Sequence, residues 1–265
     1  MSQRLAARGL PTHKITTVHN WVPAEAVRPL PRGAWQLPGL VSLNGSFVVM
    51  YSGNMGMAHE FETILDAAAL LKEDRAVQFV FAGGGKRRAE VEAGVAVRGL
   101  RNVAFLESRP LSELAQLLSA ADVHLVSMRE EVLGTLVPSK IYGILAAGRP
   151  ALFVGPPRCE VADLIRASGA GESFRAGEAS RLASVIRRLA ANQVDARRLG
   201  QAGRSHYERF LGRERSVASI IAVVTGSRGP RRFEPDVQAL QRRRRQSGRT
   251  QTFLSSELHT HENGL

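Results

Sequence analysis

The chain has a single cysteine, Cys159, so an internal disulfide is excluded and a reducing, cytoplasmic setting is expected. A lone cysteine reads as a packed thiol before it reads as a nucleophile. No apolar run approaches the roughly 20 residues needed to span a bilayer. The first residues, MSQRLAARGLPTHKITTVHNW, lack the apolar centre of a secretory signal. DxD, HExxH and CxxC are all absent, so nothing in the pattern proposes a metal site. No G-x-S-x-G surrounds Ser139, which excludes a nucleophile elbow there. The seven histidines are scattered. Only His59 stands in a loop of ligand-holding type, where turn capping and ligand contact both stay open.

Positive charge, by contrast, is plentiful, with a formal net charge of +12. Eight arginines between Arg228 and Arg249 face only Glu234 and Asp236, so half of that excess lies in a C-terminal stretch with little apolar patterning. No zinc-finger or RNP-like pattern accompanies these arginines, and nucleic acid is not the expected partner. Phosphate handling, or contact with an anionic membrane surface, fits the remaining charge better.

At 265 residues and 44% hydrophobic content, the chain can bury a sizeable core. From Phe47 onward, apolar runs alternate with helical periodicity. FVVMY, VQFVFA, NVAFLE, DVHLVSM and ALFVG read as strands. Between them lie HEFETILDAAALLKE, KRRAEVEAGVAV, LSELAQLLSAA with Ser112 as a cap, and the segment opened by Pro138 and Ser139 and closed by Gly148. Phe61, Ile64, Leu65, Ala68 and Leu71 fall on one helical face. Five strands separated by helices predict an α/β fold with a doubly wound parallel sheet. Further helices are expected in CEVADLIRASGA, EASRLASVIRRLAAN and DARRLGQAGRSHYERFLG. The expected division is 1–40 as a segment without its own βα unit, 41–225 as a Rossmann-like domain, and 226–265 as a basic disordered tail. Within the first segment, MSQRLAARGL reads as a helix, KITTVHNWV as a short strand, and 22–40 as a linker.

Ligands of such sheets bind beyond the carboxyl ends of the strands, and three turns lie at that edge. SGNMGMAH (52–59) carries Gly53 and Gly56 into a helix, a setting in which backbone can approach phosphate. AGGGKRR (82–88) reads as a flexible turn with a solvated basic helix start. GTLVPSK (134–140) places Lys140 in the first turn of a helix, where a cation is unfavourable unless an anion joins it. A plain surface lysine is the alternative. Two helix N-termini and a lysine on one edge would make a pyrophosphate site.

VHNWV (18–22), YSGNMGMAHEFETIL (51–65), FVFAGGG (79–85), NVAFLESRPLSELAQLLSAADVHLVSM (102–128) and VPSKIYGILAAGRPALFVG (137–155) resemble, in order, the donor half of group-one glycosyltransferases. These are retaining, family-four enzymes of the two-Rossmann-domain GT-B fold, and the flavour is that of exopolysaccharide, colanic-acid or O-antigen synthesis. The resemblance covers about residues 10–225. It implies a UDP- or GDP-linked sugar as donor, no other cofactor and no metal. It also implies transfer with retention to a glycan or lipid-linked acceptor, in the cytoplasm or at the inner face of the plasma membrane. On this resemblance Gly53, Asn54 and Gly56 approach the phosphates, with His59 nearby. Lys140, with backbone near Val137, Pro138 and Ser139, neutralises the leaving group and is the catalytic candidate; Tyr142 joins the binding set. Arg109 and Pro110 border the base.

Two positions depart from the family's pattern: Gly143 stands where many relatives have glutamate, and Met57 where a basic residue is expected. The resemblance further implies an acceptor domain of roughly 150–200 residues before NW, with residues 1–40 as its remnant. A separate acceptor-domain subunit would then complete the enzyme. The alternatives are a non-catalytic nucleotide-sugar-binding module and a truncated, inactive fragment.

Overall fold

Burial along the first strand alternates between two cores. Phe47, Val49 and Tyr51 enter one, and Val48 and Met50 the other. With β1 (Phe47–Ser52) buried at every position, both faces must be clad, which is the habit of a parallel sheet. The computed structural model describes residues 2–22, 27–31, 33, 39, 43 and 45–227, all within one unit, Met1–Arg231. The expected tail from 228 onward lies outside the described residues, as do much of the expected linker and parts of the first segment.

After α1 (Ser2–Ala7) the chain runs through β1, α2 (Glu62–Leu70), β2 (Val77–Ala82), α3 (Arg88–Val97) and β3 (Val103–Leu106). It continues with α4 (Leu114–Ala120), β4 (Val123–Ser127), α5 (Lys140–Ala146), β5 (Ala151–Val154), α6 (Glu160–Ser168) and β6 (Gly171–Phe174). Helices α7 (Ala179–Ala191), α8 (Gln193–Phe210) and α9 (Arg213–Thr225) follow. The strand order is β3-β2-β1-β4-β5-β6, and every pairing is parallel. This is the doubly wound, Rossmann-like arrangement, and its order reverses between β1 and β4.

Helices α2, α3 and α7 cover one face through Ile64, Leu65, Val91, Leu182 and Ile186. On the other, α4 packs Leu117 and Ala120 on Val48 and Met50. Beside them α5, α6 and α8 pack Ile141, Ile144, Leu164 and Tyr207 around Val126 and Phe153. Helix α8 approaches the turn after α5 closely enough that a Cβ on Gly200 would lie 2.2 Å from the Gly148 carbonyl oxygen. Cys159 is partly buried, and burial is the main cause that holds its thiol above the ordinary range.

Three expectations are corrected. A sixth strand, β6, joins the five. Ser112 caps nothing: it sits inside a 3-10 turn, Leu111–Glu113, that precedes α4. KITTVHNWV forms no strand, because no sheet edge receives it. Its first residue ends a 3-10 turn, Thr12–Lys14, and the rest is irregular. The Ser216 hydroxyl donates to the His19 carbonyl at 2.9 Å and the Tyr207 hydroxyl to the Val22 carbonyl at 3.2 Å. These bonds tie the segment to α8 and α9.

Gly200→Ala is expected to lower unfolding stability by about 1–3 kcal/mol, the scale of an overpacked core. Gly212→Ala, where nothing lies within 4 Å of the added carbon, should cost only about 0.5 kcal/mol, the scale of a less favourable N-cap of α9; urea denaturation of both variants checks the contrast. Acid sensitivity is expected as well. Burial is the leading cause that pushes His124, on β4, and His206, on α8, down to about 4, whereas an unfolded histidine titrates near ~6.5. Between those values the unfolded chain binds protons that the native chain refuses. Stability should therefore be full above about pH 6.5 and fall as the pH drops toward 4, read as a declining urea midpoint.

Candidate functional site

The carboxyl ends of the strands surround a cleft of about 680 Å³ at the point where strand order reverses, within the size range of small-ligand sites. Each neighbouring loop contributes. Ser52 ends β1, Gly53, Asn54 and His59 come from the turn after it, and Gly83 to Gly85 from the turn after β2. Glu107, Ser108 and Arg109 follow β3, while Val137, Pro138, Ser139 and Lys140 lead into α5. Val22 closes one side, and Leu114, Leu117 and Leu118 make an apolar wall.

The first two turns are built as one body. Met55 donates its N–H to the Gly84 carbonyl at 2.7 Å. A Cβ on Gly83, whose φ is +125°, would strike the Gly53 carbonyl oxygen at 2.4 Å. Only glycine tolerates both that backbone conformation and that approach. Arg87 locks the pair from behind. It is 5% exposed, donates to the His59 carbonyl and pairs with Glu90, and its guanidinium lies over the Phe61 ring. The expected solvated helix start is therefore wrong for Arg87: the charge is buried because it braces the loop in front of it. Arg88 pairs with Glu92 and Glu107.

His59 Nδ1 donates to the Ser127 carbonyl at 2.7 Å, which leaves Nε2 as an acceptor. Burial first, then the charge of Lys140, lowers its pKa to about 4, so the ring is neutral near pH 7. It thus both fixes its turn and borders the cleft.

Lys140 lies at the cleft floor. Its ammonium is shut away from solvent and has no hydrogen-bond partner, although the residue as a whole keeps some exposure. It stands 3.5 Å from the centre of the Tyr51 ring, and a Cβ on Gly53 would be 3.7 Å from Nζ. Burial holds its pKa well below the lysine range. Of the two helix N-termini expected here, α5 alone borders the cleft. Its first turn bonds Ile141 N–H to Pro138 and Tyr142 N–H to Ser139, so the amides of Ser139 and Lys140 precede the helical ladder. At α2, Glu60 already accepts the Thr63 N–H at 2.9 Å, and neither residue lines the cleft.

Gly53, Asn54, His59, Arg109, Val137, Pro138, Ser139 and Lys140 meet around the cleft; Gly56, Pro110 and Tyr142 are outside its lining. Gly56 turns toward the Asn54 side chain, and Pro110 precedes the 3-10 turn. The Tyr142 hydroxyl donates to Glu160, which also lies 3.3 Å from His19; its ring is part of the core behind the cleft. Gly143 does line the cleft, and a Cβ there would come 3.2 Å from Leu118. Met57 is 59% exposed and outside the lining. The glycine-rich turn after β2 was weighed at this edge and read as a flexible connection, whereas Gly83 to Gly85 line the cleft; the Tyr51 ring was not singled out beforehand. Among the described residues, no three His, Cys, Asp or Glu side chains form a group able to hold a metal ion, and no helix is long and apolar enough to cross a membrane.

Known proteins share this layout. The profile of the family described as glycosyl transferases group 1 matches residues 46–192. The probable glycosyltransferase WbjE of Pseudomonas aeruginosa is 28% identical over 80% of this chain and 53% of its own length. The putative colanic acid biosynthesis glycosyl transferase WcaI of Escherichia coli K12 is 32% identical over 44% of this chain and 28% of its own. The chain thus spans about half or less of the length of these curated relatives. Among solved structures, HepE of Anabaena, crystallised with UDP and glucose, superposes with a TM-score of 0.71. That likeness covers 85% of this chain and 60% of HepE at 16% identity, and it shows a common fold. With the family profile spanning more than half of the sequence, the chain belongs to the group 1 glycosyl transferases.

Proposed function

We propose that the cleft binds a nucleotide-diphosphate sugar, UDP- or GDP-linked, and that the chain is the donor-binding half of a polysaccharide-building glycosyltransferase. The observation that carries this reading is Lys140, a buried ammonium without a counter-charge, facing a glycine turn at the switch point of the sheet. Such a group is costly to bury alone and becomes favourable once an anion shares its site. Relatives support the choice of anion: WbjE and WcaI are named glycosyltransferases, and HepE was crystallised with UDP and with UDP-glucose.

In this reading the diphosphate lies between the turn at Gly53 and Asn54 and the first turn of α5. The amides of Ser139 and Lys140 point to oxygens that gain charge as the sugar leaves. Lys140 stabilises that charge electrostatically, without a proton having to move. Arg109 and the leucine wall flank the base, and the neutral His59 accepts from a donor hydroxyl. The sugar passes to a glycan or lipid-linked acceptor with retention. An acceptor-binding half completes the enzyme, so nucleotide binding is the activity to test on this chain.

Calorimetric titration with UDP and GDP is expected to show binding of one or both, and absence of binding by the folded chain overturns the reading. Lys140→Ala should weaken binding by about 1.5–3 kcal/mol, the scale of a charged hydrogen bond. Because burial depresses the Lys140 pKa, its charge is lost on raising the pH before an ordinary lysine titrates near ~10.4. UDP affinity should therefore decline at alkaline pH below that value. In Lys140→Arg, whose charge persists, the decline should vanish.

A further inference from the structure

Lys140 does not hang free in the cleft; it rests on the face of an aromatic ring. Its Nζ is 3.5 Å from the ring centre of Tyr51, and no carboxylate pairs with it among the described residues. Tyr51 is fully buried at the end of β1. Its ring meets His59 at 5.8 Å and Phe61 at 5.1 Å between centroids, both in edge geometry. Its hydroxyl donates to the Asn54 carbonyl at 2.9 Å, which belongs to the glycine turn on the opposite side of the same cleft.

We infer that Tyr51 is the positioning residue of the phosphate site: its ring face holds the Lys140 ammonium beneath Gly53, and its hydroxyl sets the Asn54 turn against it. The chemistry explains why a ring serves better here than an acid. A carboxylate would neutralise Lys140 and compete with an incoming diphosphate. A ring face attracts the cation through its quadrupole yet accepts no conventional hydrogen bond, so the N–H groups stay available. Burial, partly opposed by the charge of Arg87, also pushes the phenol pKa up, which favours the neutral form of the platform. Tyr51 itself is outside the cleft lining and acts through Lys140 and Asn54.

This inference rests on the nucleotide-diphosphate reading, and its test separates the two. Tyr51→Phe keeps the ring, and the series continues with mono-, di- and trifluorinated phenylalanine at position 51, which weakens the ring face stepwise at nearly constant shape. The probe is UDP, or GDP where the wild-type chain prefers it, with thermal unfolding followed in parallel. Tyr51→Phe, which loses the bond to the Asn54 carbonyl, should bind about threefold more weakly than wild type, and affinity should then fall stepwise to about tenfold below Tyr51→Phe with three fluorines, a span set by cation–π energies. In a Lys140→Met background the same series should be flat, a result that a purely structural role of the ring would not produce. Equal affinity across the series, with Lys140→Ala still weakened, overturns the role of Tyr51 and leaves the nucleotide reading standing. Failure of the wild-type chain to bind UDP or GDP overturns both.

Discussion

One uncompensated charge organises this molecule. Burying an ammonium without a partner costs several kcal/mol unless something nearby favours the cation. The sheet supplies an aromatic face but no carboxylate. Everything around Lys140 follows from keeping that arrangement intact. β1 ends on Tyr51 and Ser52 so that the ring lies under the cleft. The turn that follows is clamped to the turn after β2, and Arg87 is buried to hold both. Several other arginines pair with acids away from the cleft: Arg98 with Glu62 and Asp66, Arg188 with Glu172, and Arg204 with Glu208. Exposed pairs of that kind add little stability, and none of them involves Lys140, whose Nζ has no hydrogen-bond partner.

The fold was largely legible because a parallel sheet clad on both faces writes itself as apolar runs separated by amphipathic helices. The failures have physical causes. β6, GESF, is an edge strand with three of its four residues only half-buried, so it carries no apolar run. KITTVHNWV has the β-branched residues of a strand, but propensity reflects fit to a pleated surface, and the segment pairs with neither edge strand, bonding α8 and α9 through the His19 and Val22 carbonyls instead. Ser112 looked like a cap because a hydroxyl stood before a helical run. The chain instead enters α4 through a tighter turn that satisfies its amides with backbone: Glu113 N–H bonds the Pro110 carbonyl.

At the site, local pattern led to Lys140 and Gly53 and the family resemblance added Asn54, all of which line the cleft; neither reached their supports. Tyr142 was grouped with Lys140 on the resemblance. Two positions along an α-helix turn a side chain about 200° around the axis, so Tyr142 enters the core and reaches Glu160. Three positions return to the same face, which is why Gly143, and not Tyr142, shares the cleft with Lys140. The turn after β2 was read as a mere connection because its glycines answer to the backbone of Gly53, some thirty residues away in sequence. No local rule reports such an approach.

Gly143 and Met57, the two departures from the family's pattern, also take on meaning in three dimensions. At 143 the missing side chain leaves the cleft open beside Leu118 and Val22, so any polar contact to a ligand there has to come from elsewhere in the lining. At 57 no cation reaches inward, and the exposed methionine lies outside the lining. With neither a carboxylate at the first position nor a second base at the other, the proposed binding of a diphosphate would fall more heavily on Lys140 and on the amides before α5. A single buried cation is exacting about geometry, because Coulomb attraction in a poorly hydrated pocket rises steeply as separation shrinks. That makes rigid support of the lysine more valuable here than it would be in a site with several redundant charges.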